Sequence, residues 1–322
     1  DEYNDVFVNM MKEVVANYGP LFEFWWDGAN GEGPNGKKQV YDWRRFEQTL
    51  RTIAPNTPIF SDIGPDMRWA GNEKGIAGKT NWNLLDTAGF TRGEGSPHVD
   101  TLNKGNENGN NWIPAECDVS IRPGWFYHEE EDDKVKSPEQ LVDLYLKSVG
   151  RGANLLLNVP PDRRGLINEH DSIALIGFKE LREKSFRKNF AKNAKGYYLL
   201  YNNKKSANKL NDDKNNTYES IALQGLSSVS ITFEKPEKIN CIVLKEYLND
   251  GQKCKKFRLL IMNDKHEALK EINGTTIGKS RIITFPSINA ETIVLKVEEQ
   301  KAPTGISEIQ AYLIDEHLVE KD

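Results

Sequence analysis

The feature that most constrains the fold is a change of pattern near Ala194-Lys195-Gly196. Before it, strand-like and helix-like segments alternate. Residues 3–18 set Val6, Phe7, Met10, Met11, Val14 and Val15 on a helical stripe, and Gly19-Pro20 stops it. Residues 21–26 read as a buried strand. Residues 42–54 place Trp43, Phe46, Leu50 and Ile53 at helical spacing behind Asp42, a plausible N-cap. TPIFS, 57–61, reads as a short strand, and 62–117 as a long region rich in Gly, Asn and Trp, of the length that usually carries function. DVSI, 118–121, is strand-like. Ser137, Pro138 and Gln140 then open a helix with a capping box and a proline in the first helical position. ANLLLNV, 153–159, reads as a strand apolar on both faces, as parallel sheets require, and a helix over 171–192 follows.

After the change no helical pattern recurs. About eight short strand candidates follow, YYLLY, YESIAL, SVSITF, NCIVLKEYL, KKFRLLIM, RIITFP, TIVLKV and EIQAYLI, separated by Asn, Asp, Lys and Gly clusters. The expectation is α/β plus all-β: a parallel α/β part over 1–195 and a β-sandwich over 196–322.

Composition narrows the function. Forty-three basic and 48 acidic residues give a net charge of -5, and no basic stripe interleaves with aromatics, so nucleic acid is not the expected partner. No apolar run is long enough for a membrane span. The start, DEYNDVFVNM, lacks the basic, then apolar, pattern of a signal peptide. Cys117, Cys241 and Cys254 are too scattered for a zinc site. Cys241 and Cys254 share a domain and are able to pair, but unpaired buried thiols are the favoured reading. The five histidines show no ligand-spaced cluster, so no metal is expected at the chemistry.

Asp27, in LFEFWWDGANG, sits just past a strand, where a parallel α/β barrel gathers its reactive groups. An Asp-Gly pair also starts ordinary turns. Trp25 and Trp26 tilt the balance toward sugar chemistry, because the C–H faces of a sugar stack on aromatic rings. A glycosidase needs a second acid. MRWAGNEKG offers Glu73, close to Trp69 in a glycine-flanked turn. WIPAECDVSIRPGWFYH offers Glu116 and Asp118 at a strand start, with Arg122 and Trp125 past its end. Glu116 lies before the strand as drawn, at the end usually remote from chemistry.

FEFWWDGANG, SDIGPDMRWAGNEKG, PAECDVSIRPGWFYH and GANLLLNVPPDRRG, in that order over residues 21–165, resemble glycoside hydrolase family 29, the α-L-fucosidases, and most closely the branch acting on α-1,3 and α-1,4 linkages. The resemblance implies a retaining exo-enzyme on a (β/α)8-like barrel. It implies Asp27 as nucleophile and Glu73 as acid/base, with Trp25, Trp26, Trp69, Glu116, Arg122 and Trp125 around the sugar. No cofactor is implied, and calcium in the β-sandwich stays open. The substrate implied is a fucosylated glycan, and the location secreted or periplasmic. Family members place three strand-helix units before the nucleophile strand. Here one helix precedes it, and His98, His128, His170, His266 and His317 match none of the family's sugar-binding histidines. The expectation is therefore the C-terminal portion of a barrel whose missing N-terminal segment is a required partner. GISEIQAYLID, 305–315, resembles the closing strand of galactose-binding-like sandwiches, read here as a buttress for the barrel. A non-catalytic carbohydrate-binding protein and a retaining exo-glycosidase of other specificity remain as alternatives.

Overall fold

A computed structural model describes residues 2–28, 36–200, 203–222 and 227–320. It divides into two compact units, Asp1–Gly71 with Asn83–Glu116, and Asn72–Trp82 with Cys117–Asp322. This division cuts across the change of pattern at Lys195.

The first unit opens with α1, Glu2–Tyr18, then β1, Phe24–Trp25, and α2, Trp43–Ile53. Asp42 caps α2 as its position suggests, accepting from Arg45 N at 3.1 Å. The periodic faces of both helices meet in one cluster: Val8 and Met11 of α1, Phe46 and Leu50 of α2, with Trp26. Burying such side chains supplies about 1.5–3 kcal/mol each. β2, Ile59–Ser61, and β3, Met67–Trp69, extend a parallel ladder from β1, with Trp25 opposite Phe60 and Ser61 opposite Arg68.

Residues 62–117 are not a structureless loop. Besides β3 they hold β4, Leu84–Leu85, α3, Val99–Lys104, β5, Asn111–Trp112, and the start of β6, Ala115–Ser120. Their anchor is Arg68, fully buried, which donates from Nε to the Leu102 carbonyl at 2.8 Å and to the Ile113 carbonyl. β6 also corrects the strand at 118–121. It starts three residues earlier, pairs in parallel with β3, and puts Trp69 opposite Glu116, so Glu116 lies within the strand. The strands join in the order β1-β2-β3-β6-β7, where β7 is Asn154–Asn158 and β6 passes from the first unit into the second.

In the second unit, α4, Pro138–Lys147, carries the capping box: Ser137 Oγ accepts from Gln140 N, and Gln140 Oε1 accepts from Ser137 N. Val119, Ile121, Leu141, Leu144 and Ala174 form its core beneath Leu155 and Leu157. β7 is half-buried rather than apolar on both faces, since Asn158 donates to Ser120 Oγ at 3.0 Å. α5, Glu169–Ser185, ends before the expected 192, because Asn189 caps a separate turn through Ala191 N.

The β part is antiparallel and carries no strand in two pieces where the sequence suggests it. After β8, Lys195–Leu200, β9, Asn203–Ser206, and β10, Glu219–Ile221, SVSITF and NCIVLKEYL are halves of one strand, β11, Ser227–Glu246. β12, Cys254–Met262, and β13, Ala268–Gly274, follow; RIITFP and TIVLKV are halves of β14, Arg281–Gln300; β15, Thr304–Tyr312, closes the order. β11 pairs with β8 through its first half and with β15 through its second. The result is one hydrogen-bonded sheet wrapped on one core, rather than two separate sheets. All three cysteines are buried and free. No helix among the described residues is long and apolar enough to cross a membrane.

Candidate active site

Strand alternation sorts the residues around Asp27. Phe24 and Trp26 turn toward the helices, where Trp26 is 3% exposed and packs in the α1–α2 cluster. Glu23, Trp25 and Asp27 take the other parity. Trp25 stacks on Phe60, with centroids 4.6 Å apart and planes within 6°. Asp27 is exposed at the strand end, and it lines a cavity of about 250 Å³ together with Trp25 and with Tyr3, Trp26, Tyr41 and Trp43 from the side of the α1–α2 cluster. The Tyr41 phenol is pushed above its ordinary range by burial first, then by Tyr3 and by the Asp27 charge. Trp43 lies 5.2 Å from Tyr41, edge to face. Trp43 reads in the sequence as a helix-face residue, and Tyr3 and Tyr41 carry no signal there beyond their aromatic character.

Two residues before Trp25 on that parity, Glu23 lies beside Glu116, and burial followed by the Glu116 charge lifts Glu23 to about 8. Glu116 is fully buried. At the end of β2, Asp62 accepts from Gly93 N at 3.2 Å, which ties the 89–95 loop to the strand end. Trp69, on β3, packs partly against Ile63, Leu85 and Ile113.

The remaining candidates belong to the second unit. Glu73 is exposed at the tip of a turn. Asn72 shapes that turn, accepting from Lys74 N at 3.1 Å and donating to the Ile76 carbonyl at 2.9 Å. Gly75 closes it at φ 71°, where a Cβ would come within 2.8 Å of Val119. Arg122 has no exposed side-chain surface. It pairs with Asp171 at 3.0 Å and Asp132 at 2.8 Å, and lies over the Tyr127 ring. Its donors are thus turned inward. Trp125, 37% exposed, is held at its carbonyl by Asn158 Nδ2 at 3.0 Å. No group of three or more His, Cys, Asp or Glu among the described residues is arranged to hold a metal.

An exposed carboxylate at a parallel strand end, walled by aromatic rings, is equipped to bind a sugar ring and attack it. Comparison with known proteins identifies the family. The family model "Alpha-L-fucosidase" matches residues 1–178. A curated relative from Oryza sativa subsp. japonica is 37% identical over 95% of this chain, and "Alpha-L-fucosidase 1" of Arabidopsis thaliana is 32% identical over 97% of it. This chain spans only about three fifths of their length, 59% and 62%. Among solved structures, SpGH29 superposes with a TM-score of 0.86 at 28% identity, covering 98% of this chain and 69% of that one. A Ruminococcus gnavus GH29 fucosidase solved in complex with fucose superposes at 0.80 and 25% identity, covering 99% and 66%. The architecture shared with these neighbours is mixed α/β, with a parallel half-barrel sheet and antiparallel sheets. By its family match and its relatives, the chain belongs to the alpha-L-fucosidase family, glycoside hydrolase family 29.

Proposed function

We propose that this chain supplies the nucleophile-bearing part of a retaining exo-α-L-fucosidase acting on terminal α-1,3- and α-1,4-linked fucose. The observation that carries it is Asp27: a carboxylate at the end of β1, on the parity of Trp25, in an aromatic-walled cavity. Asp27 attacks the anomeric carbon while Glu73 protonates the departing glycosidic oxygen. The glycosyl-enzyme formed is then opened by a water from which Glu73 removes a proton. Trp25 is placed to stack on the sugar, and Trp69 and Trp125 are the further aromatic contacts. Trp26 edges the same cavity from the helix cluster, and Glu116 and Arg122 act from behind the site, because their side chains are enclosed. The reaction needs no cofactor.

This chain spans about three fifths of the length of its curated relatives, and the activity is proposed for an enzyme that also includes the remaining segment. A secreted or periplasmic location goes with such a glycan substrate. The test is Asp27→Ala in an enzyme that includes that segment. Turnover of an aryl α-L-fucoside should fall at least 10³-fold, on the order seen when a nucleophile is removed, while fucose binding persists. Undiminished turnover would reject Asp27 as nucleophile. Turnover of a galactoside but not a fucoside would reject the sugar. Fucose binding with no turnover even in the complete wild type would favour a carbohydrate-binding protein.

A further inference from the structure

The turn that presents Glu73 stands on an arm that the β part holds. Asn72–Trp82 packs with Cys117–Asp322, while Gly71 before it and Asn83 after it pack with the first unit. The turn itself rests on β6 and α4: Gly75 sits against Val119 and Leu144, and Ala77 N donates to the Lys147 carbonyl at 3.0 Å. The arm behind it, residues 77–82, is neither helix nor strand, so its backbone groups need partners from elsewhere. Two turns of the β part supply them. Between β13 and β14, the Thr276 hydroxyl accepts from Asn81 N at 2.8 Å, and the Thr275 hydroxyl donates to the Lys79 carbonyl at 3.1 Å. Arg281, the first residue of β14, donates from Nη1 to that same carbonyl at 2.6 Å. Between β11 and β12, Gln252 Nε2 donates to the Asn81 carbonyl at 2.9 Å. Asn81, Gln252 and Thr276 are buried, which strengthens these bonds. Glu246 ties the two turns together. Its carboxylate accepts from Lys253 N at 2.5 Å and Cys254 N at 2.9 Å on one side, and from Gly278 N at 3.0 Å on the other.

An exposed side chain at a turn has little packing of its own to place it. The backbone beneath sets its position, and here that backbone is anchored at Lys79 and Asn81 by side chains from the β part. Placement matters for an acid/base, because a shift of about 1 Å costs on the order of 10²-fold in rate. We infer that the β part positions the acid/base of the fucosidase reaction, with Thr276, Gln252 and Arg281 acting through Asn81 and Lys79 on the Glu73 turn, an inference that rests on Glu73 in that role. None of the three touches the sugar; they are positioning residues.

The test compares kcat/KM for two aryl α-L-fucosides, in an enzyme that includes the remaining segment. Dinitrophenolate departs without a proton, whereas phenolate needs one from Glu73. Thr276→Val keeps the shape of the side chain and removes the acceptor of Asn81 N. It should lower the phenyl value about tenfold or more and the dinitrophenyl value by no more than about threefold. Thr276→Ser should restore the wild-type ratio. Arg281→Met should shift the ratio in the same direction, and it decides the matter alone if Thr276→Val does not fold. Azide should accelerate dinitrophenyl fucoside turnover in Thr276→Val and Arg281→Met, because it attacks the anomeric carbon of the glycosyl-enzyme and displaces the Asp27 carboxylate without a base. Glu73→Ala is the reference and should give the same pattern more strongly. If Glu73→Ala slows both fucosides alike and azide does nothing, the acid/base reading fails and the inference with it. If Glu73→Ala shows the pattern while Thr276→Val and Arg281→Met slow both fucosides alike, or slow neither, the inference alone is overturned and the β part is only a support.

Discussion

Glu23, on the strand parity that carries Asp27, lies beside the wholly enclosed carboxyl of Glu116 on β6. Glu23, lifted to about 8 by burial and then by the Glu116 charge, retains its proton through neutral pH.

The linkage has a definite sign. Glu23 is raised in the folded chain from an ordinary 4.5, so its contribution is fully present below that value and is lost as pH climbs to about 8. Glu246 and Glu308, both lifted to about 7 by burial first, act in the same direction over a narrower window. Thermal stability should accordingly decline from about pH 5 to about pH 8. Glu23→Gln, which keeps the shape of the side chain and removes the titration, should flatten that slope while Glu246 and Glu308 retain part of it. Unfolding midpoints that are flat with pH in the wild type, or equally steep in the variant, would remove the pair from this role.

Trp25 and Trp26 are adjacent in sequence and opposite in consequence. Trp26 is packed against Phe46 within the helix cluster, 3% exposed, so Trp26→Ala should cost about 3–5 kcal/mol of stability by opening a core cavity. Trp25 is 38% exposed and loses mainly its stack on Phe60, on the order of 1 kcal/mol. Denaturant unfolding of both variants reads the difference. Fucose affinity, measured in the complete enzyme, should suffer more from Trp25→Ala. Equal stability losses would mean that the parity is wrong.

Much of this was legible because the elements obey strong local rules. α1, α2 and α4 have periodic apolar stripes and cappable starts, and Ser137-Pro138 announces α4 within a residue. Residues 62–117 were not legible, since their strands are two or three residues long and their organiser is a buried arginine, a residue type that reads as surface. β11 reads as two strands because it has a polar, exposed middle, EKPEK, where the pairing also shifts register, and β14 because Pro286, Ser287 and Asn289 interrupt its apolar run, although Ile288 and Ala290 within that stretch pack on the core. β13, ALKEING, alternates polar and half-buried positions and carries no apolar run to mark it. Around Asp27, the motif reading found the carboxylate and Trp25 but set Glu23 aside. The signal was in the alternation of EFWWD, where Glu23 shares a face with Trp25 and Asp27. Glu116 drew notice as a possible acid, but its enclosed partner could only be found once β6 was seen to begin at Ala115.

Ser137 satisfies one orphan amide of α4 and receives a second bond from Gln140 in return. Ser137→Ala should therefore lower stability by about 1 kcal/mol, and Ser137→Gly by only a few tenths of that unit. Chemical denaturation is sensitive enough to separate the two. A neutral Ser137→Ala would show that Pro138 alone sets the start of the helix.

Arg122 tests whether a residue near a site motif contacts ligand or holds the frame. Both Arg122 and Asp171 have side chains without exposed surface, and they pair at 3.0 Å between the end of β6 and α5. Arg122 also reaches Asp132 and the His128 carbonyl, fixing the 123–135 segment that carries Trp125. Burial raises the Asp171 carboxyl above its ordinary value, and Arg122 supplies the larger part of what lowers it, so loss of Arg122 leaves that burial largely uncompensated. Arg122→Ala leaves a buried carboxylate unpaired and should cost about 3–5 kcal/mol, whereas replacing both partners with apolar residues of similar size should recover much of the loss. Denaturant unfolding of the single and double variants checks this. If Arg122→Ala unfolds like the wild type yet loses sugar affinity in the complete enzyme, Arg122 is a ligand contact and the frame is held by something else.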